Sequence, residues 1–155
     1  MIFGFVGIIH LVAVVFSIVE LGLTAYVVSV FDGPWASSPS RVNFMLFNSI
    51  WSLLVLAYVG LTPLYYTRVF HRLASLVLEA ITMIFWFAGS IALAVGFGGP
   101  YSCDGNSVCG SITAAITFGF FLWALFTALT VLDTIESMRS RRGTTHSHTK
   151  PYVGA

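Results

Sequence analysis

Four long apolar runs, separated by short polar breaks, set the pattern of this chain. The first spans about Phe3 to Val30 and is interrupted by His10 and Glu20. The second, about Val42 to Tyr66, runs for about 25 residues with no charge. The third covers about Ala74 to Phe97 and holds Glu79. The fourth covers about Ser111 to Thr134, with Asp133 and Glu136 at its exit. At ~1.5 Å per residue, ~25 residues make roughly 37 Å of helix, enough to cross a ~30 Å hydrocarbon layer with some tilt. The pattern predicts an all-α fold, a four-helix transmembrane bundle in one domain over residues 1–136. Residues 137–155 have almost nothing apolar to bury and are expected to form a disordered cytoplasmic tail.

The breaks carry turn chemistry. Asp32-Gly33-Pro34 and Ser38-Pro39-Ser40 separate the first two runs, and Gly98-Gly99-Pro100 separates the last two. Trp35, Tyr65 and Tyr66 suit a membrane interface, where ring and polar edge both find partners. Pro63 falls near the end of its helix, where one lost backbone bond costs least. The start Met1-Ile2-Phe3 has no Lys or Arg, and the run after it is too long for a cleaved signal, so it reads as a retained first helix.

Composition removes the soluble alternative. Of 155 residues, 57% are hydrophobic and 8% charged, and the mean hydropathy is +0.92. A soluble domain carries about 25% charged residues, so lipid must be the solvent for most of this surface. The net charge of +1 comes with no basic face, and no nucleic-acid partner is expected.

Charge placement sets the expected orientation. With the N-terminus inside, the Thr67–Leu73 link and the tail carry six basic residues, against Arg41 alone in the outer loops. Both termini are then cytoplasmic. Cys103 and Cys109, the two cysteines of the chain, share one outer loop, where oxidising conditions permit a disulfide or leave two free thiols. Two cysteines with no histidine nearby build no metal site.

The intramembrane polar residues each need a reason, since an ionisable group in hydrocarbon costs ~3 kcal/mol on insertion scales. Helix rise puts His10 ~8 Å and Glu79 ~9 Å from the cytoplasmic edge, so the two would pair if helices one and three touch. Glu20 lies ~15 Å from the outer edge, level with Asn48, Ser49 and Ser52, and could donate to one of them when protonated. Such residues serve either as clips between helices or as the path of a small channel or transporter.

Catalytic chemistry finds no support. No nucleophile, base and orienting residue stand out by spacing, no Gly-rich phosphate loop precedes a helix, and no cofactor is implied. His146 and His148 lie in the tail and read as inert. Small residues four apart give close-approach faces: Ala88, Ala92 and Gly96 on helix three, and Ala115 with Gly119 and Ala124 with Ala128 on helix four. These faces serve bundle packing or self-association.

The chain resembles the fungal MARVEL-domain (membrane-associating domain) proteins over about Gly4 to Glu136. The resemblance is carried by Ser40-Arg41-Val42-Asn43-Phe44 followed by Phe47, Trp51 and Tyr58, by Phe85-Trp86-Phe87-Ala88-Gly89 with Ala92, and by the two cysteines before helix four. It implies a tetraspan with both termini cytoplasmic, no catalytic activity, and work in membrane apposition, vesicle traffic or fungal plasma-membrane microdomains. One fungal branch is linked to eisosomes, non-classical export and the sphingolipid response. The implied partners are membrane lipids, sphingolipid or sterol among them, and other integral membrane proteins or further copies of the chain. Arg41 is expected to snorkel to outer headgroups and Asn43 to cap helix two. Arg139, Arg141 and Arg142 either anchor anionic inner-leaflet headgroups or serve as the positive-inside signal. Besides a membrane organiser, the sequence allows an accessory subunit of a larger membrane complex, or the small channel using Glu20, Glu79 and His10.

Overall fold

Each apolar run becomes a single helix in the computed structural model: α1 (Ile2–Phe31), α2 (Ser40–Tyr65), α3 (Arg72–Phe97) and α4 (Ser107–Thr145). The structure describes the backbone of residues 2–33, 38–65, 72–98 and 103–145, and side chains within 4–33, 38–61, 73–98 and 103–139. Trp35, Tyr66, His146, His148 and all but the last two residues of the Thr67–Leu73 link lie outside the described residues. All four helices are long and apolar enough to span a membrane, with spans of 28, 22, 25 and 33 residues.

The helices form a ring in chain order. α1 packs on α2 and α4, and α3 packs on α2 and α4, so α1 and α3 face each other across the diagonal. Contacts along the seams show that neighbours are antiparallel. Tyr26 near the end of α1 meets Ser107 at the start of α4 (Oη to Oγ, 3.2 Å), and Arg41 at the start of α2 lies on Gly96 at the end of α3. One end of the bundle therefore carries the first and third connections, and the other carries the two chain termini.

Inward positions recur every three or four residues, the spacing of one helix face. α1 buries Ala13, Ser17, Glu20, Thr24 and Val27, and α4 buries Ile112, Ala115, Leu122, Phe126 and Leu129. The large exposed residues are the apolar ones, such as Leu11 (65%), Leu54 (63%) and Val95 (74%). Among the described residues, ten polar or charged ones are buried, Glu20 and Glu79 included. This is the reverse of a water-soluble bundle and follows from lipid as solvent.

α4 differs from its expected bounds at both ends. It begins at Ser107 because Asn106 caps it: the Asn106 side-chain oxygen accepts from the N–H groups of Val108 (3.0 Å) and Cys109 (3.3 Å). Ahead of that cap, Asp104 (φ 34°) and Gly105 (φ 80°) form a tight turn closed by Asn106 N–H to Cys103 C=O at 2.6 Å. At the other end the helix runs on to Thr145, so the tail expected from residue 137 begins inside α4. Extending an existing helix costs far less than nucleating one, and Glu136, Met138 and Arg139 favour it. Residues 146–155 lie outside the described residues.

Cys103 and Cys109 form a disulfide with Cα atoms 5.5 Å apart, joining the turn to the first turn of α4. Closing so short a loop restricts the unfolded chain by about 2 kcal/mol in the loop-entropy picture. Cys103→Ser/Cys109→Ser should lower thermal stability in detergent by about that amount, and reductant should lower wild type to the same level.

Candidate functional site

The chemistry of this chain sits in three places: the seam between α2 and α3, the polar interior of the bundle, and its two ends. The seam is built from the residues that carry the family resemblance. Phe85 of α3 meets Phe44 (5.9 Å between ring centres), Phe47 (6.5 Å) and Trp51 (6.4 Å) of α2. Two indoles then bond across it. Trp51 Nε1–H donates to Thr82 Oγ1 at 3.1 Å, and Trp86 Nε1–H donates to Ser52 Oγ at 2.8 Å. Asn48 Nδ2 donates to the Phe85 carbonyl at 3.0 Å. These bonds form in lipid because the alternative is an unpaired donor in hydrocarbon.

Gly89 lets the seam close. A β-carbon there would come within 2.7 Å of Met45 Sδ and 3.0 Å of Asn48 Nδ2. Gly119 of α4 does the same on the next seam, since a β-carbon would overlap the Ser90 hydroxyl and come within 3.1 Å of Met45 Cε. Gly96 is the third close approach, with Arg41 folded over it at the last turn of α3, where a cation also meets the negative end of the helix dipole. Arg41, exposed to the surroundings, thus also lies against the end of a neighbouring helix. Asn43 accepts from the Ser38 hydroxyl at 2.8 Å, and Ser38 N–H donates to Asp32 at 3.1 Å, which ties the first connection to α2. Of the expected small-residue faces, Ala115 and Gly119 are buried in the bundle, whereas Ala88 is exposed and Ala92 half-buried. The α3 contacts use Gly89, one residue round from Ala88, together with Gly96 of the expected row.

The polar interior divides into satisfied and unsatisfied groups. Thr24, Ser49, Ser52 and Thr82 return their hydroxyls to the carbonyl four residues back, at 2.7–3.0 Å. Ser17 and Ser90 do not, and neither carboxyl oxygen of Glu20 has a hydrogen-bond partner. The partner expected for Glu20 among Asn48, Ser49 and Ser52 is not made, because those three bond to their own helix or to α3. The expected His10–Glu79 pair is not made either. His10 Nε2 lacks a hydrogen-bond partner, and Glu79 faces Asp133 of α4 instead, which also lies within electrostatic reach of His10. Depth along the helices suggested a direct His10–Glu79 contact. It missed Asp133, which read as a helix exit but stands well inside a longer α4. No group of three or more His, Cys, Asp and Glu among the described residues could hold a metal ion.

Two clefts open on the α4 side. One, about 230 Å³, lies under the disulfide turn and is lined by Phe31, Phe97, Asn106 and Thr113 among others. The other, about 480 Å³, runs along the outer face of α4 past Phe120 and Trp123. Neither reaches His10, Glu20 or Glu79. At the terminal end Arg139 is exposed, while the side chains of Arg141 and Arg142 lie outside those described.

Four apolar helices with inward polar faces define a multi-pass integral membrane protein. The chain belongs to the MARVEL family: the membrane-associating domain matches residues 2–132. It is similar to non-classical export protein 2 homolog 1 of Saccharomyces cerevisiae, 26% identical over 147 residues, covering 86% of this chain and 82% of the relative. No solved structure matches it.

The seam should register in stability measurements. Trp86→Phe and Ser52→Ala should couple by about 1 kcal/mol in a double-mutant cycle of unfolding in detergent. Gly89→Leu should prevent a well-folded bundle, seen as loss of the monodisperse peak. Gly60→Leu, where nothing lies within 4 Å of a β-carbon, should change stability by less than about 0.5 kcal/mol.

Proposed function

We propose that this protein is a non-enzymatic organiser of membrane microdomains, working by lateral contact with lipids and with other integral membrane proteins. The observation that carries the reading is the MARVEL match over residues 2–132, on a bundle whose polar side chains turn inward and whose outward faces are apolar. The described chemistry is spent on holding helices together, which supports a role in packing. The name of the yeast relative ties that protein to non-classical export, and a station at the fungal plasma membrane fits both.

In this reading both termini are cytoplasmic. The continuation of α4 brings Arg139, Arg141 and Arg142 to the anionic inner leaflet, where each basic residue adds about 1 kcal/mol of attraction. Sphingolipid or sterol are the lipids gathered, and Ala88 with Ala92 on the exposed side of α3 is a surface for self-association.

Extraction in a lipid-preserving polymer followed by native mass spectrometry tests the reading. A homo-oligomer or monomer carrying a narrow set of lipids is expected. A stoichiometric foreign subunit would make this chain an accessory subunit, and a bare monomer with lipids in membrane proportion would overturn the organiser role. Arg139→Gln/Arg141→Gln/Arg142→Gln should disperse the protein from its microdomains by fluorescence microscopy, and unchanged patches would remove the lipid-anchoring part.

A further inference from the structure

Past Glu136 the sequence holds no acid and four basic residues, Arg139, Arg141, Arg142 and Lys150. Hydroxyl residues lie among them, and one stands apart by its neighbours. Thr144 follows Arg141-Arg142-Gly143, with arginine both three and two residues before it. No other Ser or Thr of the sequence has that pair. Ser75 and Thr145 each have one arginine at those distances, and Ser75 is buried in the bundle. The backbone sets where the motif stands. The apolar span of α4 ends at Arg139 and the helix continues to Thr145, so Thr144 lies ~7.5 Å past the span by helix rise. The headgroup layer is about 5–7 Å thick on each side, so Thr144 stands at its water edge.

A pair of arginines at fixed spacing before a hydroxyl is what a protein kinase with acidic subsites recognises. Each guanidinium presents a planar fork of donors that matches a carboxylate. In the transfer, the γ-phosphoryl group of MgATP passes to the Thr144 hydroxyl oxygen, the hydroxyl proton goes to the kinase's catalytic aspartate, and ADP leaves. Such an enzyme binds its substrate extended, so the last turn of α4 has to open. Gly143 is the poorest helix former short of proline, and the last four carbonyls of a helix have no partner within it. The turn that must open is therefore the weakest of the helix.

The product changes both charge and shape. Phosphate brings a charge of about −1.5 to −2 to a segment whose ionised side chains are otherwise all basic. It cancels most of the charge of Arg141 and Arg142. It also places an anion at the negative end of the helix dipole, which favours the opened turn. A basic segment held on anionic headgroups is released by such a change.

We propose that Thr144 is a phosphorylation site for an arginine-directed protein kinase, and that phosphate there releases the end of α4 from anionic lipid. The proposal rests on the membrane-organiser reading, with both termini cytoplasmic and the arginines on the inner leaflet, and adds the control of that contact.

The test uses the full chain in liposomes containing phosphatidylserine, with a fluorophore at the C-terminus and an acceptor on lipid headgroups. The catalytic subunit of a cyclic-nucleotide-dependent kinase and MgATP supply the phosphate, and mass spectrometry locates it. Thr144 is expected to carry it. Arg141→Gln/Arg142→Gln should slow incorporation at least about tenfold. Thr144→Ala should abolish it, and Thr145→Ala should leave it unchanged. Phosphorylation should cut energy transfer by about half at low salt, and the difference should vanish in ~1 M salt, where the Debye length is ~3 Å. Phosphate spread over the tail hydroxyls, or placed mainly elsewhere, overturns the site. Protein isolated from its native cells with phosphatases inhibited should carry the same phosphate, and an unmodified Thr144 there overturns it as well. Wild type that stays on lipid with Thr144 phosphorylated ends this inference and keeps the anchoring reading. Unphosphorylated wild type giving no more transfer than Arg139→Gln/Arg141→Gln/Arg142→Gln ends the anchoring reading, and the release with it.

Discussion

Hydrocarbon offers no hydrogen bonds, so each polar side chain in these spans must find its partner in its own helix or across the bundle. Most of this structure can be understood from that constraint. Hydroxyls fold back onto their own carbonyls, as in Thr24, Ser49 and Thr82. The two indoles and one amide of the α2–α3 seam cross to the facing helix. Once those bonds are made, the two helices are fixed in register and in rotation. Phe44, Phe47 and Trp51 are then brought against Phe85 as a result.

Close approach is the second condition. Cross-helix bonds of 2.8–3.1 Å require backbones near one another, and Gly89, Gly96 and Gly119 permit this where any larger residue would strike Met45, Arg41 or Ser90. Where no bond is available, polarity stays buried without a partner, as in Glu20, Ser17 and Ser90. The bundle thus has one tightly bonded seam and a less satisfied diagonal, with α1 contributing its acid to the latter. The apolar outer surface and the neutral cleft beside α4 complete a molecule whose polar groups work inward and whose outer faces meet lipid.

The number of helices was legible in the sequence because lipid makes hydrophobic run length a direct measure of span. The seam was legible only as a resemblance: Phe85, Trp86 and Gly89 could be quoted as a motif, but nothing in their spacing says that Trp86 meets Ser52. Partners across helices depend on rotation, which a depth count does not contain. That is why His10 and Glu79 were paired although α1 and α3 do not touch. The early start of α4 did carry a signal. Asn106 ahead of Ser107-Val108-Cys109 is an ordinary N-cap, hidden by the two cysteines, which drew the residues into a loop. The cleft had no signal, since its walls come from three helices and its emptiness comes from alanines that read as packing residues.

α4 runs unbroken for 39 residues, from the capped turn at Ser107 to Thr145. A continuous α-helix is stiff in torsion as well as in bending. Its start is stapled by the Cys103–Cys109 bond, and Arg139, Arg141 and Arg142 lie toward its far end. The helix is in effect a shaft through the bilayer with a handle on one side and a charged vane on the other. Turning the stapled end by one residue would swing the arginines by about 100° around the axis. The disulfide at one end of the bundle and the positive charge at the other are thereby parts of one mechanical element.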